Sequence, residues 1–175
     1  MERAPVNRLF FVCPTDHLEV PIRKQFMGEA FFCSALGVHF EFDIQMQFDL
    51  WDLIGENAIE QVIFVSAITN VFYKEAFENP ESSGFSIIES LAQTRKKDSN
   101  HMKDLQHFFP NLHALAASHL AEQKERLLSS NYLGNLLASE HVAVGAYVYE
   151  PRKEAYYHLE EVKKKGEVLS NISFN

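Results

Sequence analysis

The sequence predicts an α/β fold with a mainly parallel central sheet flanked by helices, and three observations carry that reading. Leu9 to Val12 and Gln61 to Ala67 are short apolar runs with little alternation, rich in Phe, Val and Ile. Such runs are typical of strands buried on both faces. Stretches with apolar residues at helical spacing separate the strand-like runs. Strands alternating with helices in this order require crossovers, and crossovers give parallel pairing.

Taken in order, Arg8 to Val12 is the first strand, and Pro14 stops it. Leu18 to Gly28 reads as a polar connection containing a proline and a glycine. Ala30 to Cys33 is a second apolar run, and Val38 to Phe42 alternates loosely like a weak or edge strand. From Gln47 to Asn57, Phe48, Trp51, Leu53 and Ile54 recur at helical spacing, with Gly55 and Asn57 as stop signals. After the strand at Gln61 to Ala67, Asn70 is placed to cap a helix through Tyr73 to Phe77, which Asn79-Pro80 ends.

Glu81 to Gly84 reads as a loop. Phe85, Ile88, Leu91 and Ala92 form a helical stripe, and His101 to Asn111 is interrupted by Pro110. Leu112 to Leu128 is the clearest helix, with Leu112, Leu115, Ala116, His119, Leu120 and Leu127 on one stripe. A short helix over Asn131 to Ala138 leads to a strand over Val142 to Tyr149. Pro151-Arg-Lys is a turn from which Ala155 to Leu159 returns as a C-terminal hairpin. One domain over residues 1–175 is expected, with 1–7 and 167–175 loosely ordered.

The formal charge of −8 argues against nucleic acid or an anionic membrane surface as a partner. No apolar stretch approaches the roughly 20 residues that span a bilayer. Met1 to Asn7 are not followed by an apolar signal core. The two cysteines, Cys13 and Cys33, form no disulfide framework, so a reducing, cytoplasmic setting is expected.

Ligands of parallel sheets bind beyond the carboxyl ends of the strands. That places Cys13, Asp16 and His17, a thiol, a carboxylate and an imidazole within five residues, where a site belongs. No Ser-His-Asp order or Gly-x-Ser-x-Gly elbow is present to suggest a metal-free hydrolase.

With the strands placed, the chain resembles a small β-class carbonic anhydrase over nearly its whole length. Cys13-Pro14-Thr15-Asp16-His17 stands where that family has Cys-x-Asp-Ser-Arg. Gly28 to Val38, which includes Cys33, stands where it has Gly-Asp-x-Phe-x-x-Arg-Asn-Ala-Gly-Asn. Ile63 to Phe72 matches Ile-x-Val-x-Gly-His-x-x-Cys-Gly, and Val144-Gly-Ala-Tyr-Val-Tyr149 matches the final strand.

The resemblance implies zinc held by two cysteines and a histidine, and dimers or multiples of dimers. Of those ligands only Cys13 survives. Ile68 replaces the histidine and Val71 the second cysteine, and neither side chain carries a lone pair. The aspartate and arginine of the first motif become Thr15 and His17. Without zinc there is no means to bring the pKa of bound water from about 15.7 to about 7.

The expected protein is therefore a non-catalytic binding or structural protein with no cofactor. Its vestigial pocket comprises Cys13, Thr15, Asp16, His17, Cys33, Ile68 and Val71. The alternative is CO2 hydration through a rearranged zinc site using His17, although the other histidines show no ligand-like spacing with it. Cys13 and Cys33 are open to two readings, a redox pair or buried apolar residues. Ile68, Val71 and Phe72 are expected to fill the vacated site. A homodimer is expected through the phenylalanine-rich segment around Val38, Phe40 and Phe42.

Overall fold

A strand whose residues are all large and apolar needs a core on each side, and the sheet provides two. The computed structural model describes residues 5–79, 86–97 and 111–159. Its five strands are β1 (Arg8–Val12), β2 (Ala30–Ser34), β3 (Gln61–Ala67), β4 (Ala143–Glu150) and β5 (Ala155–His158), in the order β2-β1-β3-β4-β5. The first four are parallel, and β5 returns antiparallel to β4 with Tyr149 opposite Tyr156. The parallel sheet, the flanking helices and the C-terminal hairpin are as expected.

Among the described residues, six α-helices accompany the sheet: α1 (Glu19–Gln25), α2 (Ile44–Glu56), α3 (Val71–Glu78), α4 (Ser86–Lys97), α5 (Asn111–Leu128) and α6 (Leu133–Ser139). On one face of the sheet, Leu9, Phe11, Val62 and Phe64 pack against residues of α2 through α6. On the other, Phe10, Val12, Ile63 and Val65 pack against Leu18 and Ile22 near and on α1. Each fully buried side chain of this kind contributes about 1.5–3 kcal/mol. The absence of alternation in β1 and β3 follows from this double burial.

Two segments depart from expectation. Leu18 to Gly28 contains α1, in which Ile22 is the buried residue, so no apolar stripe marks it. Pro21 lies in its first turn, where a backbone N–H has no intrahelical acceptor to lose. Val38 to Phe42 is not a strand. Leu36–Val38 forms a 3-10 turn, and the chain then runs to α2 without joining the sheet. The alternation was real, because Val38 and Phe40 are buried and Glu41 is exposed. However, the Phe40 N–H donates to the Gln123 side chain at 2.9 Å rather than to a neighbouring strand.

That arrangement removes the basis given for dimerisation. Phe40 lies 4.6 Å from the ring of Phe11, and Phe42 lies 5.9 Å from it. Phe40 fills the core, and Phe42 packs against it while staying partly accessible. Asn7, expected in a loose end, is tied down, donating to Asn57 O at 2.9 Å and accepting from Glu60 N at 3.0 Å. The expected loop at 81–84, the segment 101–110 and the tail from 160 lie outside the described residues, as do His101 and His107.

Candidate functional site

At the carboxyl end of β1, Pro14 starts a 3-10 turn that His17 closes at φ 51°. The turn swings Asp16 across to the end of β3. One carboxylate oxygen of Asp16 accepts from Ser66 Oγ and Ala67 N, both at 2.9 Å, and the other from Asn70 Nδ2 at 2.8 Å. Asn70 in turn caps α3 by accepting from Phe72 N at 2.9 Å. Burial pushes the Asp16 carboxyl above its ordinary value, against the pull of Ala67, Asn70 and Ser66 and the nearby His17 charge.

Cys13 is equally engaged. Its sulfur accepts from Gly37 N at 3.2 Å and lies 3.0 Å from Thr15 Oγ1, with only 1% of the residue exposed. The Gly37 carbonyl accepts from His119 Nε2 at 3.0 Å, so β1, the 3-10 turn at 36–38 and α5 are joined through one glycine. Because a carbonyl only accepts, this bond places the His119 proton on Nε2. Nδ1 is then a buried acceptor with no partner among the described residues. Burial and the neighbouring His39 hold His119 down to about 4, so the ring is neutral near pH 7.

The 36–38 turn is strained. Gly37 at φ 62° uses the freedom of glycine, but Val38 follows at φ 55°. A β-branched residue in the left-handed region costs on the order of 1–3 kcal/mol. The corresponding position of the family pattern is Asn, which adopts this conformation more easily.

Tyr73 completes the inner wall. Its residue is fully buried, its ring lies 5.9 Å from that of His119, and its hydroxyl is near Ser66, Asp16 and Cys13. The hydroxyl reaches hydrogen-bond geometry with none of the described groups. Burial holds the phenol well above its ordinary value, so it stays protonated.

The expected pocket is only partly assembled. Cys13, Thr15 and Asp16 meet as described, whereas His17 is exposed and reaches Asp16 by charge alone. Ile68 and Phe72 are partly buried against the core, as filling residues would be. Val71 is 55% exposed on the first turn of α3 and fills nothing. Cys33 pairs in register with Phe11, and burial raises its thiol. Cys13 lies one strand over and two residues on, about 8 Å away at normal sheet spacing. That exceeds disulfide reach, and both thiols are free.

Sequence reasoning missed Ser66, Tyr73, Gly37 and His119 as members of this region. It also missed that His39 and His119 stack with ring centroids 6.0 Å apart. The cap signal at Asn70 was visible, but not its bond to Asp16.

No family model and no curated protein sequence matches this chain. Solved structures do. A tetrameric β-carbonic anhydrase from Sordaria macrospora superposes with a TM-score of 0.72 at 11% identity, covering 89% of this chain and 81% of its own. The β-carbonic anhydrase CafA of Aspergillus fumigatus gives 0.68 at 14% identity, covering 98% and 85%. The Coccomyxa β-carbonic anhydrase in complex with acetazolamide gives 0.65 at 13%, also covering 98% and 85%.

The fold is that of the β-carbonic anhydrases. On this fold the family's zinc would require three donors near Cys13. The aligned positions supply one thiol and the hydrocarbon side chains of Ile68 and Val71, the latter pointing outward to solvent exposure. Among the described residues, no three His, Cys, Asp or Glu side chains are grouped to hold a metal ion. The residues present do not fit a three-ligand zinc site.

Proposed function

We propose that this chain is a carbonic-anhydrase-fold protein that neither holds zinc nor hydrates CO2, and that it acts as a non-catalytic binding or structural protein. The observation that supports this reading is the state of Cys13. Its sulfur is engaged by Gly37 N and Thr15 Oγ1, while the other two ligand positions are Ile68 and Val71. Zinc hydroxide is the nucleophile of the family's reaction, and no residue near Cys13 supplies an equivalent at neutral pH.

The vestigial site has instead become a joint between elements. Asp16 links the turn after β1 to the start of α3, and Cys13 and His119 both hold the turn at Gly37. Such bonds favour rigidity over ligand exchange. CO2 hydration through a rearranged zinc site would need a convergent donor set, and the stacked His39 and His119 provide two imidazoles without a third ligand among the described residues.

The assembly we propose is a homodimer in a reducing, cytoplasmic setting. The Sordaria relative is described as tetrameric, and the outer edge of β2 is unpaired in the sheet. Both free thiols suit that setting. Among the described residues, no helix is long and apolar enough to cross a membrane.

Stopped-flow CO2 hydration with and without added zinc tests the functional claim. The rate should equal the buffer background across pH 6.5–8.5, a range of about one unit either side of 7.5. Clear turnover that depends on Cys13 would refute it.

A further inference from the structure

From Gln25 to Tyr73 the sequence contains no Lys or Arg, yet Glu41, Asp43, Asp49, Asp52 and Glu56 all fall on or beside α2. Asp49, Asp52 and Glu56 are exposed on that helix, while Glu41 precedes it and Asp43 caps its start by accepting from Met46 N at 2.8 Å. Amid them stand two large apolar side chains, Ile44 at 59% and Phe48 at 43% exposure. Ile44, Phe48, Asp52 and Glu56 are successive i, i+4 positions and so form one row, while Asp49 lies beside it.

The apolar row continues off the helix. The Phe48 ring lies 4.5 Å from that of Tyr132, just before α6. Leu128, at the end of α5, is 38% exposed. Beside it an open groove of about 640 Å³ runs between Phe42, Asp43 and Gln47 on one wall and Ser129 to Asn131 on the other, with Arg126, paired to Glu122 at 2.8 Å, also in its lining. A surface with apolar anchors, an adjoining groove and a carboxylate-rich helix face has the composition of a recognition site for a protein segment.

We infer that this face of α2 docks a basic amphipathic helix of a partner protein. Aliphatic residues of the partner would cover Ile44 and Phe48 and enter the groove, and Lys or Arg beside them would face Asp49, Asp52 and Glu56. The charge supports this occupant, because an acidic or neutral helix would leave the carboxylates repelled or unpaired. A nucleic acid or anionic membrane is excluded by the same charge. The site lies on a different element from Cys13 and does not depend on the fate of zinc.

A fluorescent 18-residue peptide with Leu along one helical face and Lys on its flanks serves as the probe, titrated against the full chain. A peptide of identical composition, scrambled to abolish the apolar face, is its control. The amphipathic probe should bind at least about tenfold more tightly than the scrambled one. Phe48→Ser should weaken it by about tenfold, as loss of an interface anchor does. Asp49→Lys with Asp52→Lys should do the same and flatten the salt dependence. Ile44→Ser provides a second apolar variant, should Phe48→Ser alter the fold by circular dichroism. Equal binding of both peptides, or binding indifferent to Phe48 and Ile44, overturns the inference. So does light scattering that shows the wild-type chain dimeric and Phe48→Ser monomeric, because the occupant would then be a second copy.

Discussion

Asn70 Nδ2 donates to Asp16 Oδ1 at 2.8 Å, joining residues 54 positions apart in the chain. The turn after β1 is thereby fixed to the start of α3, between the aligned ligand positions 68 and 71 in the chain. Asp16→Ala would leave Ser66 Oγ, Ala67 N and Asn70 Nδ2 without this acceptor. Orphaning a buried donor costs about 1–3 kcal/mol, and Asp16 is partly accessible, so a loss of about 2–3 kcal/mol is expected. Urea denaturation reads it directly, and a loss under about 0.5 kcal/mol would show that water substitutes for the carboxylate.

The pH dependence should carry the signature of His119. Its folded-state pKa, about 4, lies below the ordinary 6.5. Between those values the unfolded chain binds the extra proton, so stability is full above pH 6.5 and falls as the pH drops towards 4. At about 1.4 kcal/mol per unit the loss reaches about 3 kcal/mol. His39, half-buried and also held below its ordinary value by burial, adds in the same direction. His119→Gln should remove most of this slope between pH 6.5 and 4. An unchanged slope would place the effect elsewhere.

Val38 provides a test of the strained turn. At φ 55° a non-glycine residue bears a left-handed penalty of about 1–2 kcal/mol that glycine avoids. Val38→Gly and Val38→Ala both lose buried side chain, but Val38→Gly should be at least as stable as Val38→Ala. This reverses the usual order of the two residues within regular structure. A thermal melt in which Val38→Ala is clearly the more stable would mean that the turn relaxes.

Why some of this was legible in the sequence and some was not follows from the range of each signal. β1 and β3 declared themselves because double burial demands unbroken apolar runs. The helical stripe of α5 was plain, and Asn70 announced the start of α3 through its capping chemistry. α1 was hidden because a helix with Ile22 as its buried residue shows no stripe. Val38 to Phe42 misled because alternation reports burial of one side and not ladder pairing, and here Gln123 takes the Phe40 N–H. The candidate residues Cys13 and Asp16 followed from their place at a strand end. Their partners Gly37, Ser66, Asn70 and His119 come from elements that meet only after folding. Val71 was misassigned because a ligand position in an aligned motif says nothing about which way a replacement side chain points.

Rebuilding the motif tests whether the aligned positions can converge. Ile68→His with Val71→Cys, together with Thr15→Asp and His17→Arg, should give a chain that binds about one zinc, the metal drawing the exposed first turn of α3 inward. Cys13→Ser in that background should weaken the binding strongly. Full catalytic rates are not expected, since surrounding residues such as Ser34, which stands where the pattern has arginine, also differ from it. Failure to bind zinc in a variant that is folded by circular dichroism would mean that the aligned positions do not converge.

Zinc content distinguishes a vestigial site from a working one. The chain is purified without added metal, equilibrated with a small excess of zinc, desalted and measured by elemental analysis. A vestigial site should retain less than about 0.1 zinc per chain, because one engaged thiol without partner ligands cannot hold the ion through desalting. About one zinc per chain, lost on Cys13→Ala, would contradict the account.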